Sequence, residues 1–578
     1  MSEYSRVRAE TDIGLLIRHV DEFSRWTKVA GTAEELESLR YVEREMASYG
    51  FHTALTEHPA YLSIPGTAWV EASGAKVPAI AHSFSQSSAP SGTVGRLVFV
   101  GSGRPADYGD DDVMGQVVLI DGVAGPAAAL EAGRRGAIAQ LHVSPDDYRH
   151  EMCISSVWGS PGDDQITHLP RTVVVSIAAK DGAALKEALK ANSSMTVAIH
   201  AQVDTGWRQT PILVCDLAAG TDQIDEPFIL FTGHHDTWYV GAMDNGGANA
   251  TMLEVSRLCA KVRNRWRRGL RVIFWSGHSQ GRYSSSAWYA DQNWFELDAL
   301  ALAHVNVDST GGMGNTVVAD TTASSELAHL AREVLQEEAG QVFTGRRMGR
   351  AGDQSFWGIG VPSIFGNMSE QPATPGEVNA SAAVFGGGNR LGAGTGWWWH
   401  TPMDTRDKID ADILLRDTRI YLLTVWRLLT DEVLPLDFRE HSAALARTLT
   451  EIQRAAGRSI DLEHIVALAR QLDERIRLAY SNAEGADPDR FNEFLRQLSR
   501  ALVPLDYTNG DRFVHDPALS QSAIPALADC ERLAKLEPIS AESLFLGSRL
   551  RRAANRVQKL LLEALEITDK HLSAYKAG

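Results

Sequence analysis

Strands and helices alternate through the middle of the chain, and this alternation restricts the fold more than any other feature. Between residues 211 and 435, short apolar runs such as PFILFTG, LRVIFWSG and ALAHVNV are separated by amphipathic segments such as GGANATMLEVSRLCAKV. The apolar runs have the length of buried strands, and the amphipathic segments have the period of helices. The pattern predicts an α/β domain with a mostly parallel sheet and helices on both faces.

The regions on either side of this domain have different patterns. Residues 1–60 are predicted to be helical, with Thr32 and Glu35 as a capping box, and to belong to the same domain. Residues 61–210 contain short β-rich runs and one helical stretch, which predicts an inserted α+β domain. Residues 436–578 contain long amphipathic runs between prolines, which predict a C-terminal helical domain.

Composition and charge exclude several classes of protein. Hydrophobic residues make up 44% of the 578 residues and charged residues 22%, which is typical of globular proteins. The net charge of −17 argues against nucleic acid or an anionic membrane as the main partner. The four cysteines have no metal-binding spacing and fit a reducing compartment. With no leader-like N-terminus and no long apolar run, we expect a cytoplasmic protein without a membrane span.

Polar side chains follow several of the predicted strands. The histidines and carboxylates at these positions and in one later loop are His234, Asp236, Asp244, His278, Asp308 and His400. Ligands of open α/β sheets bind beyond the carboxyl ends of the strands. A single aspartate there can be a helix cap, and a single histidine can be a core residue. As a group, however, imidazoles and carboxylates predict a site for zinc, manganese or a similar divalent ion.

Three segments resemble a known family. GHHDTWYVGAMDNGG, HVNVDSTGG and WHTPMDTRDKID are similar to the metal-binding segments of the zinc aminopeptidase and glutamate carboxypeptidase family, metallopeptidase family twenty-eight, which includes the transferrin-receptor type. RWTKVAGTAEELESLRYVEREMASYGF resembles its N-terminal helix. The resemblance implies that residues 211–435 form the catalytic domain, that 61–210 form a protease-associated insert, and that 436–578 form a helical domain through which two chains dimerise.

The resemblance also implies roles for individual residues. The gap of ten residues between His234 and Asp244 matches the family's spacing. Asp244 would bridge two metals, with His234 and Asp308 holding one of them and His400 helping to hold the other. Asp236 would be a catalytic-site residue that fixes the ring of His234.

The chain departs from the family pattern after the central strand. The family has two adjacent glutamates there, in a segment like F-W-x-A-E-E-x-G, whereas this chain reads VIFWSGHSQGRYSSSAWY. Trp275, Gly281 and Ser286 keep the register, so that the two glutamate positions fall on His278 and Ser279. In the family the first glutamate is the general base and the second is a metal ligand.

The replacement changes the expected chemistry. Because a serine hydroxyl is a poor ligand for a divalent cation, we expect one metal per chain, on His234, Asp244 and Asp308, rather than two. His278 has three open interpretations: a general base with a suitable intrinsic pKa, a metal ligand, or an inert replacement.

Aromatic and charged residues near these segments are candidates for substrate binding. They are Trp398, Trp399, Tyr239, Tyr283, Arg350 and Asp353. Aromatic rings beside a metal suit an apolar, flat or cationic substrate group, although tryptophans are also common core residues. Arg350 could clamp a substrate carboxylate, and the resemblance places Asp353 at a recurring polar position near the site.

Three functions remain open at this level. The first is a metal-dependent hydrolase of an amide or related C–N bond in a small molecule or short peptide-like substrate, with His278 in place of the general-base glutamate. The second is a metal-dependent lyase or other non-hydrolytic enzyme acting on a small carboxylated substrate. The third is a non-catalytic relative, as in the transferrin-receptor type. The first is the leading prediction, with zinc or manganese as cofactor.

Overall fold

The computed structural model describes residues 2–110, 112–220, 226–374, 380–385, 390–483 and 487–576, and only the backbone of residues 383, 385, 575 and 576. In this part of the chain the strands are β1 (His52–Ala72), β2 (Ala75–Ala81), β3 (Thr93–Phe99), β4 (Val117–Asp121), β5 (Ala139–Val143), β6 (Val173–Ile177), β7 (Thr196–Leu217), β8 (Phe228–His234), β9 (Gly269–Trp275), β10 (Ala301–Asp308) and β11 (Ser363–Asn367).

The helices flank this sheet and form the C-terminal region. They are α1 (Glu3–Ala9), α2 (Ile13–Phe23), α3 (Ala33–Ser48), α4 (Pro126–Arg134), α5 (Ala179–Ala191), α6 (Ala248–Ala260), α7 (Ser284–Gln292), α8 (Trp294–Leu300), α9 (Ala328–Ala339), α10 (Ala380–Phe385), α11 (Ala411–Thr430), α12 (Phe438–Ala456), α13 (Glu463–Ser481), α14 (Pro488–Tyr507), α15 (Cys530–Lys535) and α16 (Ala541–Lys576). Among the described residues, no helix is both long enough and apolar enough to span a bilayer.

The predicted α/β domain is confirmed. Strands β9, β8, β10 and β11 are adjacent and parallel, and β7 joins the edge of β9 antiparallel. Successive residues of β8 enter different cores: Ile229 and Phe231 pack with α2, α6 and α11, whereas Phe228 and Leu230 pack with α7 and α8. Because side chains alternate along a strand, this alternation requires helices on both faces of the sheet.

Two long strands connect this domain to the insert. β1 and β7 pair antiparallel from His52 opposite Asp216 to Ala72 opposite Val197. At their outer ends β2 pairs with β1, β3 pairs with β7, and the central strands β3 to β6 run parallel. The predicted limits of the insert, at 60/61 and 210/211, fall inside β1 and β7. The insert therefore extends the same sheet of eleven described strands.

The C-terminal helices are fastened to the α/β domain by buried polar contacts. In α14, the guanidinium of Arg500 donates to the carbonyl oxygens of Gly360, Leu297 and Ala301. These acceptors lie within α8, at the start of β10 and before β11. Since a buried guanidinium needs several acceptors, this contact fixes the helices against the edge of the sheet.

Candidate metal centre

Four candidate ligands lie at the carboxyl end of the parallel strands. His234 is the last residue of β8, and Asp308 is the last residue of β10. Asp244 lies in the turn Ala242–Gly247 that leads into α6, and His400 lies in the loop before α11. Because β8 and β10 are adjacent and parallel, their last side chains meet at one edge of the sheet.

Asp244 lies between two histidines. Its Oδ1 is 3.1 Å from Nε2 of His234, and its Oδ2 is 3.2 Å from Nε2 of His400. Oδ1 of Asp308 is 3.5 Å from the same Nε2 of His234. Zinc binds nitrogen and oxygen ligands at about 2.0–2.2 Å, which places neighbouring ligand atoms about 3 to 3.5 Å apart. The separations around His234 have this size.

His278 joins the same group from the altered segment after β9. Its ring stacks on the ring of His234, with centroids 3.8 Å apart and planes 14° apart. One ligand atom each from His234, His278 and Asp308 lie within 4.8 Å of one another, the single such group of three that the described residues contain. The structure thus places His278 among the candidate ligands, while the amide of Ser279 donates to Asp236.

The three histidines share one hydrogen-bonding pattern. Each places Nδ1 within hydrogen-bond distance of an oxygen acceptor. For His234, His278 and His400 the acceptors are the carbonyl oxygen of Asp236 at 2.9 Å, the carboxylate of Asp353 at 3.0 Å and the carbonyl oxygen of Glu151 at 2.6 Å. Because these oxygens accept, each Nδ1 carries the proton, and the Nε2 lone pair of the neutral ring is left free. Metal-binding histidines are held in this way.

The residues present fit a divalent ion. Nε2 of His234 is buried and has no hydrogen-bond partner among the described residues, although it faces Asp244 and Asp308. A buried lone pair between two carboxylates is unfavourable unless a cation or a proton lies between them. Imidazole nitrogens and carboxylate oxygens together are ligands for zinc or manganese.

The charges at this centre also favour a cation. Burial alone would lower the pKa of His234, but hydrogen bonds to Asp244 and Asp308 and their charges raise it well above its usual value. Burial would likewise raise the pKa of Asp244, yet the two neighbouring histidines hold it below its usual range. Without an ion, a proton on His234 therefore takes the place of the cation.

Asp236 holds the site through both its backbone and its side chain. Its carbonyl oxygen, not its carboxylate, accepts from Nδ1 of His234, whose distance to the nearest carboxylate oxygen is 3.9 Å. The carboxylate accepts from the amides of His278 at 3.1 Å and Ser279 at 2.9 Å. The predicted contact with His234 is thus made by the backbone, and the buried carboxylate fixes the altered segment.

Sequence reasoning missed Asp404 and Lys28, which lie beneath the turn that carries Asp244. The carboxylate of Asp404 accepts from the amides of Met243 and Asp244 at 2.9 and 3.0 Å. Burial raises the pKa of Asp404 to about 7 and lowers the pKa of Lys28 to about 8. The ammonium of Lys28 donates to the carbonyl oxygen of Val240 at 3.0 Å. Asp404 stands in the quoted segment WHTPMDTRDKID, so its position offered a signal; Lys28 offered none.

Residues of the insert also reach the centre. Glu151 and His400 bond in both directions, with the Glu151 amide 3.0 Å from the His400 carbonyl oxygen and Nδ1 of His400 2.6 Å from the Glu151 carbonyl oxygen. The hydroxyl of Tyr239 donates to the carboxyl group of Glu151 at 3.0 Å, and burial raises the pKa of that carboxyl group to about 8. Nδ1 of His150 donates to the carbonyl oxygen of Trp399 at 2.6 Å. No pattern in the sequence links segments about 250 positions apart, so these contacts were not predicted.

The predicted aromatic residues occupy different positions around the centre. Trp399 stacks on the ring of His400 at 3.6 Å between centroids, and Tyr283 meets His278 edge-on at 4.8 Å. Trp398 is buried in the main core. Trp399 and Tyr283 therefore support the rings of candidate ligands, and Tyr239 contacts the insert. Their roles in substrate binding stay a prediction.

Arg350 is occupied by contacts with the C-terminal region. Nε and Nη2 donate to the carbonyl oxygen of Asp516, and Nε is 2.9 Å from that of Pro517. The guanidinium lies over the ring of Trp158, 4.0 Å from its centroid. Arg350 therefore supports the protein wall beside the site. Its predicted contact with a substrate carboxylate stays a prediction.

Comparisons with known proteins give an independent view of this domain. The model of Peptidase family M28 matches residues 213–425. A probable glutamate carboxypeptidase of Zea mays is 24% identical over 492 residues, which cover 72% of this chain and 67% of the relative. A probable glutamate carboxypeptidase of Arabidopsis thaliana is 24% identical over 361 residues, half of each chain. The chain thus spans between half and two thirds of the length of these relatives.

Solved structures share the fold. The peptidase M28 precursor of Shewanella amazonensis SB2B has a TM-score of 0.59 at 16% identity, covering 75% of this chain and 97% of that chain. The aminopeptidase of Aneurinibacillus sp. strain AM-1 has a TM-score of 0.54 at 21% identity, covering 74% and 96%. The match to residues 213–425 confirms the resemblance over the α/β domain and supports a metal-dependent hydrolase.

Proposed function

We propose that this protein is a metal-dependent hydrolase of an amide or related C–N bond in a small molecule or short peptide-like substrate, with one divalent ion per chain. The observation that carries the proposal is the convergence of free Nε2 lone pairs and carboxylates around His234, with every histidine held through Nδ1. Residues 213–425 match a peptidase family, which supports hydrolysis of a C–N bond.

Three side chains would hold the ion: His234, His278 and Asp308, with the carboxylate of Asp244 beside them, 3.1 Å from Nε2 of His234. When bound, a zinc or manganese ion polarises a carbonyl group and lowers the pKa of a water molecule. His278 would then be a metal ligand in place of the missing glutamate ligand. The carboxylate of Asp353, which accepts from Nδ1 of His278, would fix the orientation of its ring. This assignment chooses the metal-ligand interpretation of His278 over the general base.

The second ion of a two-metal site lacks support. On the far side of Asp244 the candidate ligands are Oδ2 of Asp244 and Nε2 of His400, and the resemblance places Ser279 where a glutamate ligand would be. In a one-metal enzyme, His400 would instead act as a general base. Its Nε2, 3.2 Å from the carboxylate of Asp244, would accept the proton that the attacking water gives up.

Metal analysis by plasma mass spectrometry, on protein purified without added metal or chelator, tests the proposal first. We expect close to one zinc or manganese per chain, and hydrolysis of a panel of small amides that is lost with a chelator and restored by the metal. Two ions per chain would contradict the one-metal site. Ser279→Glu should add an ion next to His400, whereas Ser279→Gln, which has the same size without the charge, should not.

Product analysis in oxygen-18 water separates hydrolysis from elimination. A hydrolase incorporates one labelled oxygen into the acid product, whereas a lyase incorporates none. Unlabelled product would replace the hydrolase with the metal-dependent lyase. The homodimer, the protease-associated role of the insert and the cytoplasmic location stay predictions.

A further inference from the structure

The loop that carries His400 is held by one short segment of the insert, residues 146–151. Nδ1 of His150 donates to the carbonyl oxygen of Trp399 at 2.6 Å. The amide of Glu151 donates to the carbonyl oxygen of His400 at 3.0 Å, and Nδ1 of His400 donates to the carbonyl oxygen of Glu151 at 2.6 Å. Two consecutive residues of the insert thus bind two consecutive residues of the α/β domain.

His400 has a backbone conformation that must be held by its surroundings. Its φ angle is 58°, in the left-handed region that residues other than glycine seldom adopt. Such a conformation persists where neighbouring contacts determine it. Here the carbonyl oxygen and Nδ1 of His400 both bond to the backbone of Glu151. The insert therefore fixes the direction in which Nε2 points, which is toward Oδ2 of Asp244 at 3.2 Å.

His150 is itself fixed from the side of the insert. Its Nε2 is 3.1 and 3.2 Å from the two carboxylate oxygens of Asp146, and its ring is buried. The carbonyl oxygen of Asp146 accepts from the amide of Ala179, the first residue of α5, at 2.8 Å. The segment that holds the loop is therefore anchored to a helix of the insert.

Two aromatic contacts extend the same junction. The ring of Tyr148 stacks on that of Trp397 with centroids 4.4 Å and planes 25° apart. The hydroxyl of Tyr239 donates to the carboxyl group of Glu151 at 3.0 Å. The segment from Trp397 to His400, which leads into the site, is thus held by the insert at both of its ends.

We infer that His150 is a positioning residue for the reaction. It holds the loop at Trp399, so that the adjacent His400 presents Nε2 to the attacking water in the orientation that proton transfer needs. This inference rests on the proposed function, in which His400 is the general base. The group of ligand atoms in the described part of the chain contains no side chain of the insert. The insert thus contributes to the reaction by orienting the base and not by binding the ion.

Steady-state kinetics of His150→Ala, on the full chain and with an amide that the wild type hydrolyses, tests the inference. The kcat should fall about 10- to 100-fold, because a small displacement of a catalytic group has an effect of this size. The KM should change less than about 3-fold, and the metal content should stay at the wild-type value. His150→Asn should recover most of the lost kcat, because its amide nitrogen can replace Nδ1 as the donor to Trp399.

The matched control is His82→Ala. His82 is another buried histidine of the insert, and its Nε2 is 2.7 Å from the hydroxyl oxygen of Ser176, which also belongs to the insert. The variant removes a buried ring and its hydrogen bond away from the junction, and its kcat should stay within about 3-fold of the wild type. An unchanged kcat in His150→Ala, an equal loss in His82→Ala, a loss of metal in His150→Ala, or no recovery in His150→Asn would each overturn the inference.

Hydrogen exchange measured by mass spectrometry tests the positioning without turnover. In His150→Ala the amides of Glu151, Trp399 and Thr401, which are hydrogen-bonded at the junction, should exchange about 10-fold faster than in the wild type. In His82→Ala they should exchange at the wild-type rate. Unchanged exchange in His150→Ala would overturn the inference. Faster exchange confined to His150→Ala, together with no hydrolysis of any amide by the wild type, would retain the positioning of the loop and reject the hydrolase.

Discussion

The protein buries a histidine between two carboxylates in two places, and the two places are built differently. At the metal centre, Nδ1 of His234 donates to a carbonyl group, so that Nε2 alone faces both Asp244 and Asp308. At the junction of α12 with the α/β domain, His441 uses both ring nitrogens: Nδ1 is 3.1 Å from Glu326, and Nε2 is 3.6 Å from Asp506.

The surroundings of the two histidines differ as well. Asp506 is paired with Arg347, so a protonated His441 and this arginine balance the two carboxylates of the junction. Burial would lower the pKa of His441, but the charges of Glu326 and Asp506 raise it above its usual value. At the metal centre no lysine or arginine of the described residues pairs with Asp244 or Asp308. The same residue types thus form an ion-pair cluster at His441, where each ring nitrogen faces its own carboxylate. They form the candidate metal site at His234, where one ring nitrogen faces both carboxylates.

The largest effect expected is from His278→Ala. The variant should lose the bound metal and reduce turnover by more than about 100-fold, because a ligand contributes more than the groups that support it. Plasma mass spectrometry and an amide hydrolysis assay measure both losses. Ser279→Ala, at the adjacent position, should retain metal and activity. An inactive His278→Ala variant that still holds one metal would make His278 a general base instead.

His441→Gln should break the other cluster without affecting the metal. Removing one partner of a buried ion pair costs about 3–5 kcal/mol of unfolding free energy. Urea unfolding followed by fluorescence measures this loss, and metal content should stay at the wild-type value. His329→Gln, which removes an exposed histidine 3.2 Å from Glu333, is the control and should cost less than about 1 kcal/mol. A loss of metal in His441→Gln would mean that the two clusters are coupled.

Asp353→Asn should lower the metal affinity, but less than His278→Ala does. The carboxylate fixes the ring of His278, and removal of such a group typically lowers metal affinity or activity about 10- to 100-fold. Competition with a chromogenic chelator measures the affinity. Asp291→Asn changes an exposed aspartate 3.0 Å from His515 and should leave the affinity unchanged. Wild-type affinity in Asp353→Asn would show that packing alone orients His278.

The smallest effect is the pH dependence of the junction. The pKa of His441 is raised in the folded state, so its stabilisation is complete below the unfolded value of about 6.5 and is lost as the pH rises through the folded value. The pKa of Glu326 is lowered, so its stabilisation is present above about 4.5 and is lost as the pH falls through the folded value.

The difference in unfolding free energy between wild type and His441→Gln should therefore be greatest between about pH 4.5 and 6.5 and decrease above that range, by up to about 1.4 kcal/mol per pH unit. Urea unfolding at several pH values, with metal saturating, measures this difference. A constant difference from pH 5 to 9 would contradict a protonated His441.

The fold was predictable from the sequence because its signals are local. PFILFTG and LRVIFWSG form the buried strands β8 and β9, and GGANATMLEVSRLCAKV contains α6. The predicted boundaries of the insert were less informative, since the pairing of β1 with β7 continues across them. A strand that is half in one domain and half in another has no change of period to mark the limit.

For the site, residue types and strand order carried most of the information. His234, Asp244 and Asp308 were found from their positions after predicted strands and His400 from a later loop, the family resemblance implied their roles as ligands, and the structure brings them together. Glu151 was missed because its contact with His400 crosses from the insert. Such a contact depends on how the insert packs against the loop before α11, which no short motif encodes.

The sequence by itself determined an α/β domain with histidines and carboxylates at the carboxyl ends of its strands, because strand periodicity and chain order fix which residues end at the same edge. Only the tertiary structure decided what His278 faces, which nitrogen of each histidine is free, and why His234 and His441 differ. These outcomes depend on ring orientation, which is set by groups from distant segments. Asp353 and Glu151 accept hydrogen bonds from His278 and His400, and Glu326 forms an ion pair with His441.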